Sequence, residues 1–533
     1  MKNKTLCAAI LVVVFSVLAA SPWLTRSSSA PAPAESASAV HMFGHGLGRN
    51  LVNLTDKHIP DTWDIQEKAN VKWAAKVGSR AYALVVAGGK VFVGTNNEFP
   101  RNPRDTRKRK DGKAEAIDKS VLVCFDAASG KFLWQHVNDK LPSGIVHDWG
   151  YEGICSSPAV EGNRLYYISN RCEVVCLDTN GFADGNQGVT DEKYKDPTDA
   201  DVIWRLDMMK ELNVFPHNLS ACSPLLVGDT LYVVTANGVD ENHENIPSPE
   251  APSFIAVDKH TGKLKWKSNA PGRNIMHGQW ANPSGAVVHG KPQVIFPGGD
   301  GWIRGMDPET GKVIWEFDGN PKKATKYVLG GKGQRSDYLS TPVVVGDKLY
   351  MGMGQDPEHV DGVGHLYCID LTKTGDISPE LVTKEADPEH PENRETKPNP
   401  NSGLVWHFGG EEKDPVKAGR DFVFGRTIST CAVHDGLCYA VDLVGFFNCL
   451  DANTGQKLWG HDLKSETWAS PYLVDGKVYM GTVDGDMWVF KHGRQKPEPT
   501  KVDMGKPVKC TPVVADGVLY VLCESHLYAI AAK

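Results

Sequence analysis

The sequence predicts an all-β protein, an eight-bladed β-propeller of four-stranded antiparallel blades, on three observations. The first is a repeated turn. An aspartate closes one strand, a Thr-Gly or Ser-Gly pair follows, and a tryptophan sits in the next strand: Asp126 through Gly130 to Trp134, Asp258 through Gly262 to Trp266, Asp307 through Gly311 to Trp315, and Asp451 through Gly455 to Trp459. A unit this small cannot bury its own apolar face, so copies must stack. The second is a set of two-residue hairpin turns between short apolar strands, at Gly88-Gly89, Gly162-Asn163, Gly228-Asp229, His289-Gly290, Gly346-Asp347, Asp435-Gly436, Asp475-Gly476 and Asp516-Gly517, one per blade. The third is that the last unit runs out after its third strand, while Trp73 sits in a strand with no unit before it. Pairing the two ends completes the last blade and closes the ring, which removes exposed sheet edges.

In chain order, the N-terminus comes first. Lys2 and Lys4 precede an apolar run ending in Ala19, Ala20 and Ser21, the layout of a secretory signal over 1–21. The run is short for a membrane span, so a cleaved signal is expected ahead of an uncleaved anchor. Residues 22–41 are rich in Ala, Pro and Ser and read as a linker, with one propeller domain over 42–533. The expected location is the periplasm or cell envelope, with the signal, if retained, as the only membrane attachment. The chain of 533 residues is 41% hydrophobic with a formal net charge of -7. That is enough for a large core and gives no basic field for nucleic acid.

Within the blades, Trp73, Trp134, Trp204, Trp266, Trp315, Trp406 and Trp459 recur at one position and are assigned to docking blade on blade; the seventh blade lacks one. Cys124, Cys176, Cys368 and Cys449 share a column with Ala256, Gly305, Val489 and Ala529. A column accepting Cys, Ala, Gly and Val asks for a small buried side chain, so these cysteines read as packing groups. No Cys-x-x-Cys supports a redox dithiol or a zinc knuckle.

The repeating Asp-x-x-Thr-Gly-x-x-x-Trp resembles the pyrroloquinoline quinone (PQQ)-like propeller family, which includes quinoprotein alcohol dehydrogenases and the propeller lipoprotein of the outer-membrane β-barrel assembly machinery. The resemblance implies the fold, whereas one fold hosts many activities. Quinoprotein alcohol dehydrogenases carry adjacent cysteines against the cofactor. This chain has neither Cys-Cys nor the Cys-x-x-Cys-His of a covalent haem.

Insertions swell the earlier units, at 96–119, 238–252 and 355–364 between second and third strands, and at 136–154, 207–220, 268–280, 318–337 and 409–426 between blades. Both kinds of loop leave a meander on one face, which becomes the decorated face. Residues just before each innermost strand should rim a central funnel: Trp149, Glu152, His217, Asn218, His277, Gln279, Trp280, Arg335, Asp337, Arg426 and Trp468. They either line a pocket or stitch the loops together. A basic run at 101–113 either docks an anionic surface or is a solvated insertion.

The leading functional expectation is a monomeric, non-catalytic binding or assembly module that recognises an envelope protein or cell-surface component. On that reading no cofactor, metal or catalytic residue is assigned. The alternative is a PQQ-dependent oxidoreductase acting on alcohols or sugars, with PQQ and calcium in the funnel.

Overall fold

The computed structural model describes residues 39–325, 333–355 and 362–532. The expected signal and most of the linker lie outside these residues. Eight sheets of four principal strands surround a channel. Blade 1 comprises Ala81–Ala87, Lys90–Asn96, Lys119–Asp126 and Phe132–Asp139, and the pattern repeats to blade 7, Tyr472–Val474, Lys477–Gly481, Asp486–Lys491 and Thr500–Asp503. Blade 8 takes Val513–Ala515, Val518–Cys523 and His526–Ile530 from the C-terminal end and Val71–Lys76 from the N-terminal end, with Trp73 opposite Ala529. The ring closes as the sequence predicts.

The repeated turn is explained by what it receives. In each Asp-x-x-Thr-Gly turn the aspartate accepts hydrogen bonds from the Thr or Ser backbone and hydroxyl, as Asp307 does from Thr310. The glycine adopts positive φ, and the tryptophan of the preceding blade lies against it. A Cβ on Gly130 would stand 2.5 Å from Trp73, and one on Gly311 2.6 Å from Trp266. The indole then donates to a turn carbonyl: Trp73 to Ala127, Trp134 to Thr179, Trp204 to Lys259, Trp266 to Pro308, Trp406 to Ala452 and Trp459 to Gly493. Trp315 departs from this, because the excursion starting at residue 371 replaces the turn it would meet. Its indole donates to Gln293 of its own blade. Directly opposite the tryptophans stand the small residues: Cys124, Cys176, Ala256, Gly305, Cys368, Cys449 and Ala529. A Cβ on Gly305 would lie 2.1 Å from Trp315 Nε1. The column is small because the indole covers it. The eleven cysteines of the described residues are free thiols, ten of them buried.

Two rings of hydrogen bonds tie the blades together around the channel. At the strand entrances, backbone N–H groups donate to side chains of the next blade, from Ser157 to Ser223 Oγ, Ser223 to Asn282 Oδ1, Thr341 to Thr430 Oγ1, Thr430 to Ser470 Oγ and Ser470 to Thr511 Oγ1. This is why a hydroxyl so often precedes the inner strand.

The second ring is the segment 40–53, which circles inside the channel. Val40 N donates to Val86 O, and the carbonyls of His41, Leu47, Gly48 and Leu51 accept from Val160, Gly285, Val344 and Leu473. Asn50 exchanges bonds with Val433, and the Asn53 amide donates to Val514 O. Arg49, fully buried, sends its guanidinium to the carbonyls of Phe43, Ser223 and Pro283. One segment thus touches the inner wall of every blade and plugs the hairpin end of the channel. Val40, two residues before the expected start of the propeller at Met42, is buried.

Candidate functional site

With one end plugged, the channel becomes a blind pocket of about 380 Å³. Its floor is Val40, Phe43, Gly44, His45 and Leu51 of the plug. Its walls and rim include Tyr82, Trp149, Glu152, Asn218, His277, Trp280, Trp468 and Lys509. Six residues singled out from sequence therefore line one cavity: Trp149, Glu152, Asn218, His277, Trp280 and Trp468. They converge because each precedes an innermost strand, or lies in the loop leading to one.

Glu152 is the pocket's carboxylate. It stands 3.6 Å from Arg80 and against the Tyr82 hydroxyl; burial, and then this carboxylate, push the Tyr82 phenol well above its usual value. The Tyr82 ring stacks beside Trp468, with centroids 6.4 Å apart, and Lys509 lies 5.2 Å from the Trp468 ring. Trp280 is fixed by its indole, which donates to the carbonyls of His217 and Leu219. Trp149 is held through its backbone N–H on Asn218 O.

The other candidates stitch loops. The Gln279 amide donates to Asn237 O and Ser253 Oγ and accepts from Gly299 N. Arg335 pairs with Asp318 at 3.0 Å, alongside Lys322. Asp337 bridges to Gly354 by its backbone, and Arg426 lies against Gly362. None of these four lines the pocket. The basic run divides: Arg104 pairs with Asp196 and Asp199 and Arg101 lies over the rings of Phe99, Phe125 and Phe132, whereas Arg107, paired with Glu115, and Lys108, Arg109, Lys110 and Lys113 are exposed.

His217 is buried just behind the rim and belongs to a cluster with His243 and His277. The Nε2 atoms of His217 and His243 lie 2.9 and 2.8 Å from His277 Nε2. His217 Nδ1 bonds to Val239 O at 2.9 Å. His217 and His277 occupy equivalent entrances in blades 3 and 4, whereas His243 comes from the 238–252 insertion of blade 3. A turn carries it, in which Asp240 accepts from Glu244 N and Asn245 N while His243 N donates back to Asp240 O. Gly238 opens that insertion beneath both histidines. A Cβ there would fall 2.6 Å from His217 Cβ and 2.7 Å from His277 O. Sequence reasoning flagged the insertion but not His243 within it, and assigned no metal-binding group. Two histidines at matching blade entrances with a third in the loop between them were the available signal.

Residues 117–389 and 398–533 match the family described as outer membrane protein assembly factor BamB. A curated polyvinylalcohol dehydrogenase from Sphingopyxis sp. (strain 113P3) is 24% identical over 312 residues, 44% of this chain and 47% of that protein. The chain thus spans about half the length of the curated relative it matches. Similar solved structures include BamB from Moraxella catarrhalis, 13% identical with a TM-score of 0.49 over 87% of this chain and 97% of that one. They also include the quinohemoprotein alcohol dehydrogenase from Comamonas testosteroni, 12% identical with a TM-score of 0.46 over 93% and 81%.

Proposed function

The chain belongs to the PQQ-repeat family described as outer membrane protein assembly factor BamB, which matches it over most of its length, and we propose that this member is an oxidoreductase-type enzyme taking an alcohol or sugar in its central pocket. The observation that carries this reading is the plugged channel. A ring open at both ends offers a rim for macromolecules, whereas a blind pocket with aromatic walls and a few convergent polar groups suits a small molecule. Trp149, Trp280 and Trp468 offer faces for the C–H side of a sugar or alkyl chain. Glu152, Asn218 and Lys509 offer acceptor and donor groups for hydroxyls. The partial likeness to a polyvinylalcohol dehydrogenase supports the substrate class.

The alternative drawn from the family resemblance placed PQQ with calcium here. The aromatic walls suit a planar ring, and lining side chains also offer oxygens to the ion. Calcium takes about six to eight oxygen ligands. Among the lining residues Glu152 is the one carboxylate, and it faces Arg80 and Tyr82. Glu152 and the amide oxygens of Asn218 and Asn282 would supply part of that shell, the rest falling to the quinone's own oxygens and to water, and the bound quinone would supply the oxidant that the chain's own side chains lack.

A thermal-shift screen of alcohols, polyols and sugars against the full chain supplied with PQQ and calcium, with dye-linked oxidation as the activity readout, tests the proposal. A hit should be weakened by Trp149→Ala and by Glu152→Gln, which leave the blades intact. If no hydroxylated ligand stabilises the protein and no dye is reduced, the enzyme reading fails. The second reading is then a binding module for an envelope protein, favoured by the loops gathered on one face and tested by pull-down from envelope extracts. An exported, periplasmic location belongs to both readings.

A further inference from the structure

We propose that His217, His243 and His277 form a three-imidazole site for one borderline divalent transition-metal ion, of the zinc and copper class, at the rim of the pocket. The site stands on its own geometry, whatever the pocket turns over. Three Nε2 atoms from segments up to sixty residues apart converge, two of them within 2.9 Å of the third. Each ring nitrogen carries either one proton or one lone pair in its plane. Val239 O can only accept, so His217 Nδ1 carries the proton and the neutral ring turns its Nε2 lone pair toward the cluster. His277 Nε2 has a single in-plane site and two imidazole nitrogens facing it. A cation receiving all three lone pairs satisfies the three rings together.

The surroundings match what metal-bound imidazoles require. A carbonyl on the far nitrogen of His217 fixes its tautomer and orientation. Trp280 flanks the cluster, its ring centroid 5.1 Å from His277 and 6.0 Å from His217. Glycine at 238 lets the two backbones approach. Zinc–imidazole bonds are roughly 2.0–2.1 Å, which puts tetrahedral ligand nitrogens about 3.4 Å apart. The two short pairs open by about half an ångström to admit the ion, and all three nitrogens already lie within 4.8 Å of one another. An all-nitrogen set excludes calcium and magnesium and suits zinc, copper, nickel or cobalt. Three protein ligands leave a fourth position, as in catalytic rather than structural zinc sites. Because His277 and Trp280 also line the pocket, that position adjoins it.

The test uses the full chain, stripped with a chelator and titrated with Co²⁺ as an optical probe, Zn²⁺ as competitor and Cu²⁺ for electron paramagnetic resonance. The expected result is one ion per chain, visible cobalt bands of four-coordinate intensity displaced by zinc but not by calcium, and nitrogen hyperfine structure from three imidazoles. His243→Gln, in a half-buried loop, should keep the circular dichroism of the parent and weaken binding at least about 100-fold. Full-affinity binding in that variant overturns the proposal. So does a wild-type copper spectrum with fewer than three nitrogens, or no stoichiometric binding of cobalt or zinc, and these readings need no variant to fold.

Discussion

The two ends of the channel are closed by different means. At the hairpin end the segment 40–53 is held by its own backbone groups and by the side chains of Arg49, Asn50 and Asn53, which bond mainly to backbone groups of the blades, so what it reads there is the path of the inner strands. At the loop end, side chains do the work: Trp149, Trp280 and Trp468 form walls, and three histidines meet at one point. The plug belongs to the stability of the ring, whereas the rim can change its chemistry at small cost to the fold. Elaborated loops on a rigid scaffold are where function concentrates.

Substitutions at the two ends should therefore differ in kind. The largest effect on stability is expected from Arg49→Ala, which leaves three carbonyls without their charged donor in a fully buried site. Losing these charge-assisted bonds should cost about 3–5 kcal/mol, read from the denaturant midpoint. An unchanged midpoint would mean that the plug does not stabilise the ring.

Next comes acid. His45, on the plug and bonded to Tyr472, is lowered to about 4, chiefly by burial. The unfolded ring takes up its proton near pH 6.5, so between about 6.5 and 4 the unfolded state binds more protons and stability falls as pH falls. The fall should reach about 3 kcal/mol and be absent above pH 7. His45→Gln should flatten the melting temperature across that window; an unaltered slope would move the effect elsewhere, His136 being similarly lowered to about 4 by burial.

At the loop end, Gly238→Ala should cost about 1–3 kcal/mol, because its Cβ meets His217 and the His277 carbonyl. It should also spread the imidazoles and weaken metal binding. If stability drops and metal affinity does not, the histidines are not held by that contact. The smallest stability effect is expected for His243→Gln, less than about 1 kcal/mol in metal-free protein, since the residue is half-buried on a loop. Calorimetry with and without zinc checks the contrast, because the metal should stabilise the parent and not the variant.

Much of the fold was legible because a repeat states each rule several times. Trp73 without a unit before it, and Ile530 without a fourth strand after it, announced the closure. The cysteine column announced a covered position, though not that the indole directly opposite is what covers it. Trp315 broke the docking pattern for a local reason, the loss of its partner turn, and the structure adds that its indole turns to Gln293 instead. The candidate site was half legible. Entrance residues could be placed on the channel, but nothing in Gln279 or Arg335 told that one binds loop backbone and the other Asp318. Arg49 and His45 lay in a segment without periodicity, and His243 in an insertion with no copy elsewhere.

The sequence by itself determined the blade, the count of eight and the closure, since these follow from local periodicity and from the need of each sheet to cover its apolar face. Only the tertiary structure decided that residues 40–53 plug one end, that six rim residues share a cavity, and that three histidines from two blades meet. Such convergence depends on distances between non-repeating loops, and those are set by the ring as a whole rather than by any residue's neighbours in the chain.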